Sequence, residues 1–105
     1  MAQTYDAIVI GAGVMGASLA FHLAERGLKT AILERKVSSS GATGHSSGLV
    51  RMHYDLAAES ALTFVSYKNY FSNWKERVGG DCGFLNTGFM QIAKREHEDK
   101  LRGNV

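Results

Sequence analysis

An α/β fold is what this 105-residue sequence predicts: a strand–helix–strand unit with an incomplete parallel sheet, then a long helix and a short strand pair. Three observations carry it. Two short β-branched runs flank a stretch of helical periodicity, glycines mark the junctions, and serine-rich and aromatic segments divide the remainder.

Tyr5-Asp6-Ala7-Ile8-Val9-Ile10 stops at Gly11, and such a continuous run suits a strand buried on both faces. From Val14 to about Arg26, the residues Val14, Ala17, Phe21 and Ala24 recur at helical spacings, and Gly27 follows as the helix-terminating residue. Lys29 to Leu33 repeats the strand pattern, so a right-handed parallel crossover is expected and the core unit spans 4–35. Residues 36–48 then hold five serines, one threonine and three glycines. On composition this is either a flexible linker or an ordered loop. Leu49 to Tyr54 resumes an apolar and aromatic mixture with too little chain for a second core, which argues for an ordered loop over 36–54.

A long amphipathic helix is expected over 56–78, with Ala61, Phe64, Phe71, Trp74 and Val78 on its core face and Gly79-Gly80 ending it. Phe84-Leu85 and Gly88 to Ala93 read as a strand pair over 84–93. A further helix begins over 95–105, with Glu96/Lys100 and Glu98/Arg102 at i,i+4. No repeat is visible, and the close within a helical pattern reads as an interruption.

At 45% hydrophobic, 21% charged and 10% aromatic, the composition fits a globular chain rather than a disordered tail or a fibre. The length, below the roughly 150 residues of an average domain, implies one small domain or a piece of a larger one. A net charge of +2 without a long basic run leaves no footprint for nucleic acid or an anionic membrane, so a small-molecule partner is expected. No apolar stretch reaches the roughly 18 residues of a spanning helix, and Asp6 precedes the first apolar run where a signal peptide would be basic. A cytoplasmic location is expected. The single cysteine, Cys82, agrees with a reducing compartment and reads as a buried or half-exposed thiol.

The chemistry starts at Gly11-Ala12-Gly13-Val14-Met15-Gly16. This G-x-G-x-x-G follows a strand and opens a helix, and Glu34 stands eighteen residues past its last glycine at the end of the second strand. Gly11 allows the tight turn, Gly13 lets the backbone approach a pyrophosphate, and Gly16 lets the helix pack closely on the strand. The N–H groups of Val14 and Met15, with the helix dipole, then meet the phosphate charge. Glu34 accepts hydrogen bonds from the ribose hydroxyls and disfavours a 2′-phosphate. The pattern is that of a Rossmann-like FAD/NAD(P)-binding unit, with NADP disfavoured and NAD and FAD both open.

The segment Ser39-Ser40-Gly41-Ala42-Thr43-Gly44-His45-Ser46-Ser47-Gly48-Leu49-Val50-Arg51-Met52-His53-Tyr54, behind that motif, resembles the N-terminal FAD-binding segment of the D-amino acid oxidase (DAO) family. Within the family it is most similar to the sarcosine oxidase and dimethylglycine dehydrogenase branch. The resemblance covers essentially the whole chain and implies FAD, with the chain a fragment of a longer flavoprotein. It implies that Gly11, Gly13, Val14, Met15 and Gly16 hold the pyrophosphate and that Glu34 and Arg35 sit at the ribose and adenine. Thr43, Gly44, His45, Ser46, Ser47, Gly48 and Leu49 would run along the ribityl chain and the isoalloxazine ring. His45, in a Thr-x-His-small-small-Gly-Leu context, would carry a covalent bond to the flavin; the plainer reading is a histidine hydrogen-bonded in a polar loop. Arg51 would face a substrate carboxylate, against the plainer reading of a packing arginine. Gly48, where some sarcosine oxidases carry a basic residue, argues for a dehydrogenase over an oxidase.

His22 and His97 are expected to be exposed polar positions, and His53 to lie beside the active-site strand. No Cys/His cluster has metal-ligand spacing. The function implied is FAD-dependent oxidation of the C–N bond of a small or N-methylated amino acid such as sarcosine or dimethylglycine. The alternatives are a glycine or D-amino acid oxidase-like enzyme, an NAD-binding dehydrogenase module, and a catalytically incompetent nucleotide-binding fragment. The 105-residue chain by itself is expected to show no turnover.

Overall fold

Asp6 opens the sheet. Its backbone N–H donates to the Lys29 carbonyl at 2.9 Å, and its carboxylate accepts from the Lys29 N–H at 2.8 Å, so two chain segments are joined one residue before the ladder begins. In the computed structural model, which describes residues 2–103, β1 (Ala7–Ile10) then pairs in parallel with β2 (Thr30–Leu33), Ala7 opposite Thr30 through Ile10 opposite Leu33. Helix α1 (Val14–Glu25) connects them. It closes with the Gly27 N–H on the Ala24 carbonyl at 2.9 Å and the Leu28 N–H on the Leu23 carbonyl at 3.2 Å, the glycine-terminated ending the sequence predicts.

The helix faces the sheet with a different stripe from the one its apolar spacing predicts. Val14, Ala17 and Ala24 are exposed, Phe21 is half-buried, and the covered face runs through Gly16, Ala20 and Leu23. Gly16 sets this rotation. A Cβ there would collide with the Gly11 carbonyl oxygen and lie 3.4 Å from Val9 Cγ1, so only glycine can face the strand at this point. The positions four and seven residues further on then face the strand as well. Val9 and Ala20, each 7% exposed, are the buried hydrophobic residues among those described. β1 is accordingly covered on one side, not on both. Ile8 is 60% and Ile10 86% exposed, because within residues 1–49 α1 packs on Val9's face alone.

The chain divides into two compact units, residues 1–49 and 50–105. In the second, residues 50–54 are tied to α2 (Ala57–Asn69) by hydroxyls. Ser60 Oγ accepts from the Tyr54 N–H and donates to the Tyr54 carbonyl, both at 3.2 Å, and Thr63 Oγ1 reaches the Met52 carbonyl at 3.5 Å. The helix expected over 56–78 is broken: α2 ends at Tyr70, a 3₁₀ turn spans Phe71–Asn73, and a single turn, α3 (Trp74–Arg77), follows. Asn69, Ser72 and Asn73 are weak helix formers whose side chains compete for backbone groups, as Ser72 Oγ does on the Lys68 carbonyl at 2.9 Å.

The break changes what packs. Phe71 stacks on Trp74 at 5.6 Å and on Phe84 at 5.2 Å, and Tyr67 meets Phe84 at 6.2 Å. These rings are half-buried, whereas Phe64, Ala61 and Val78, expected in the same core stripe, are exposed. The strand pair expected over 84–93 does not form. Strands need a ladder partner, and no described residues pair with this segment, whose Leu85, Met90 and Ile92 are exposed. A 3₁₀ turn at Arg95–His97 leads into α4 (Glu98–Gly103), where Arg102 Nη2 meets Glu98 at 2.9 Å as expected, while Glu96 meets His97 instead of Lys100. Cys82 is exposed rather than buried or half-exposed, because it sits in a polar turn closed by the Gly83 N–H on Asp81 Oδ1 at 2.8 Å. No helix among the described residues is long and apolar enough to cross a membrane.

Gly16→Ala is expected to lower stability by about 1–3 kcal/mol through overpacking against the Gly11 carbonyl. A shift of the denaturant midpoint without a change of slope is the check; an unshifted midpoint would show that the close approach is not needed.

Candidate functional site

The glycine turn leads directly from β1 into α1. Gly11 takes φ +101°, a left-handed conformation that L side chains rarely adopt, and its N–H extends the parallel ladder to the Leu33 carbonyl at 2.7 Å. Beside the turn lies a cleft of ≈ 290 Å³, lined by Ile10, Gly11, Gly13 to Gly16, Glu34 and residues 39–43.

The serine- and glycine-rich stretch is ordered against this turn. The Ser39 N–H donates to the Ala12 carbonyl at 2.9 Å, and successive turns are closed by the N–H groups of Gly44, His45 and Ser46 on the carbonyls of Gly41, Ala42 and Thr43 at 3.1–3.2 Å. Ser39 has φ 63°, unusual for a residue with a side chain, and a Cβ on Gly44 would collide with the Ser39 carbonyl oxygen. A flexible linker makes no such bonds.

Thr43 reaches into the site. Its Oγ1 accepts from the Val14 N–H at 3.0 Å, capping the helix from 29 residues away, and it stands where a Cβ on Gly13 would come within 3.0 Å. The Val14 amide, expected to be free for phosphate, is therefore occupied. The N–H groups of Gly13, Met15 and Gly16 have no acceptor among the described residues, and they converge with the helix dipole on the cleft. Three unsatisfied donors at a helix N-terminus, where a Cβ on Gly16 would meet backbone and one on Gly13 would crowd Thr43 Oγ1, fit a pyrophosphate.

Glu34 braces the turn from the other side. Its carboxylate accepts from the Ala12 and Lys36 N–H groups, each at 2.9 Å. These bonds, Ala12's first and Lys36's second, hold the carboxyl below the usual glutamate range, against a small opposing effect of burial. A carboxylate offers about four acceptor positions. Acceptor capacity therefore remains beside the cleft. Arg35 is exposed and does not line the cleft.

Of the loop residues predicted to contact the cofactor, Thr43 lines the cleft, whereas Gly44, His45, Ser46, Ser47, Gly48 and Leu49 lie outside its lining. Ser46 Oγ accepts from the Gly48 N–H at 3.2 Å. Ser39, Ser40, Gly41 and Ala42, which sequence reasoning did not assign to the cofactor, line it instead. Their signal was the density of turn-forming residues, which marks a fold-back without giving its direction.

Arg51, His53 and Tyr54 belong to the second unit. The Arg51 guanidinium lies 4.7 Å from the Tyr54 ring centroid and 5.9 Å from that of Phe89. His53 is half-buried, with its ring 5.9 Å from Phe89 and its Nε2 buried without a hydrogen-bond partner among the described residues. His22, expected exposed, is half-buried because its ring meets Phe21 edge-on at 5.5 Å and its Nδ1 lies 3.2 Å from Glu25; His97 is exposed as expected. Among the described residues no group of three His, Cys, Asp or Glu is placed to hold a metal.

The family described as FAD dependent oxidoreductase (DAO) matches residues 6–105, and the chain belongs to it. Its relatives include the glycine oxidase of Bacillus licheniformis, 43% identical over 106 residues, which cover 93% of this chain and 28% of that protein. The glycine oxidase of Geobacillus kaustophilus is 29% identical over 104 residues, with the same 93% and 28% coverage. The mitochondrial dimethylglycine dehydrogenase of Homo sapiens is 32% identical over 89 residues, covering 84% of this chain and 10% of that protein. The chain therefore spans 28% or less of the length of these relatives. No solved structure matches it significantly. FAD is the cofactor of the family, which decides between the two dinucleotides the glycine motif left open.

Two outcomes are expected at this site. Thr43→Val, which leaves the Val14 N–H without its acceptor, costs about 1 kcal/mol of stability and weakens FAD binding, read by thermal melts and by fluorescence titration. The Glu34 carboxyl is more acidic folded than unfolded, so its contribution is complete above the ordinary glutamate pKa and is lost as pH falls through the lower folded value. Melts across about pH 2.5 to 6 should show this acid-side loss in the native chain and not in Glu34→Gln.

Proposed function

We propose that the protein carrying this segment is an FAD-dependent oxidoreductase acting on the C–N bond of a small or N-methylated amino acid. The observation that carries the reading is the cradle at the start of α1, three unsatisfied amides braced by Thr43 and Glu34, in a chain that matches the DAO family from residue 6 to 105. FAD, when bound, would supply the electronics by accepting hydride from the C–H bond next to the nitrogen, so that the C–N bond becomes the C=N bond of an imine or iminium, which water hydrolyses to the amine and a carbonyl.

The chain's own residues bind and orient. The N–H groups of Gly13, Met15 and Gly16 hold the pyrophosphate, and Thr43, whose Oγ1 already accepts from Val14, keeps its proton to donate to a phosphate oxygen. Glu34 takes the ribose hydroxyls and Arg35 lies toward the adenine. Gly44, Ser46, Ser47, Gly48 and Leu49, small or flat against a planar ring, line the ribityl chain and the isoalloxazine. His45, in its Thr43-Gly44-His45-Ser46-Ser47-Gly48-Leu49 context, is the attachment residue for covalent flavin. Arg51 pairs its guanidinium fork with the substrate carboxylate and so presents the C–N bond to the flavin. Sarcosine and dimethylglycine are the preferred substrates in this reading. Glycine is the second, supported by the likeness to two glycine oxidases.

The test uses the whole protein with FAD, mixed anaerobically with sarcosine, dimethylglycine or glycine. Bleaching of the flavin absorption by one or more of them is expected; a fully flavinated protein that none of the three bleaches would overturn the reading. After acid precipitation the flavin is expected in the pellet, and in the supernatant for His45→Ala. Native protein that releases all its flavin to the supernatant has no covalent link.

A further inference from the structure

We propose that Tyr54 and Phe89 are positioning residues for Arg51, two aromatic rings that take the faces of its guanidinium and leave its N–H edge for a substrate carboxylate. The inference rests on the reading of Arg51 given above and adds how the side chain is aimed. Both rings lie within the roughly 6 Å reach of a cation–π contact, at 4.7 Å and 5.9 Å. The Arg51 guanidinium has no carboxylate or carbonyl acceptor among the described residues, so its donors are uncommitted while its Cζ stands over two rings. That division suits the group. Its N–H donors all lie in the plane in a rigid fork, whereas stacking uses only the π faces, so the two interactions do not compete.

The rings are themselves held. Ser60 Oγ bonds both the N–H and the carbonyl of Tyr54 at 3.2 Å, which fastens that residue to the first turn of α2. Phe89 is flanked by the His53 ring at 5.9 Å, tilted by 37°. Arg51 is exposed, and without these faces its long side chain would sample many rotamers before meeting an anion. Stacking reduces that search and fixes the plane in which a bidentate pair forms.

The test measures acetate binding to the whole FAD-loaded protein by perturbation of the flavin spectrum, and KM and kcat with the best of the three amino acids. Tyr54→Leu and Phe89→Leu are each expected to weaken acetate binding and raise KM about three- to fivefold, with kcat and flavin content kept. Tyr54→Phe retains the ring face and is expected to behave as native. Phe89 is 48% exposed, so its replacement leaves folding intact. Acetate binding in both Leu variants equal to native would overturn the proposal, as would Tyr54→Phe losing as much as Tyr54→Leu, or kcat and flavin content falling as KM rises. Arg51→Met separates the two levels. If it leaves acetate binding unchanged, the carboxylate role of Arg51 fails. If it weakens acetate binding while the Leu variants do not, only the aromatic support fails.

Discussion

The first unit depends on how closely α1 approaches the end of β1. Gly16 lies so near the Gly11 carbonyl that no side chain fits, and this contact fixes the rotation of the helix, the residues it presents to the strand and the point at which its first amides emerge. Van der Waals contact at one glycine thus decides both packing and binding. Ala20 and Leu23 are covered because Gly16 is, and the N–H groups of Met15 and Gly16 face the cleft because the helix begins so close to the turn.

Around that contact the chain spends polar side chains on holding backbone. Thr43 takes one amide of α1 and Glu34 takes the amide of Ala12, so two of the donors a glycine turn exposes are satisfied from within the protein. The remaining amides form a smaller set than the motif alone suggests, and a more directed one. A fully open helix start is satisfied by water in any orientation, whereas this one has its geometry set before a ligand arrives.

The sequence makes the first unit legible because its signals are local. A β-branched run, a glycine turn and a helical period each fix conformation within a few residues, and Ile10-Gly11 and Gly27 mark the junctions closely. The face of α1 is less legible: Val14, Ala17, Phe21 and Ala24 have the right spacing, but the decisive residue is a glycine with no hydrophobicity to register. Thr43 capping Val14 is a contact across 29 positions, and nothing in the intervening composition specifies it. In the second unit the apolar residues from Leu85 to Ile92 look like strands because β-propensity describes what a segment does when it has a partner, and none of the described residues supplies one. The sequence predicts one unbroken helix over 56–78; Asn69 and Asn73 are weak helix formers whose effect surfaces only where aromatic packing rewards the break.

Glu34 illustrates how one bond pattern shapes the economy of protons. Two amides hold its carboxyl below the ordinary glutamate range, so its accepting form persists further into acid than that of a free glutamate. An adenosine ribose docked there, as proposed above, would neither take up nor release a proton near neutral pH, so buffer ionisation would add nothing to the heat of association through this contact. Any affinity that contact contributes would be insensitive to small drifts of pH around neutrality.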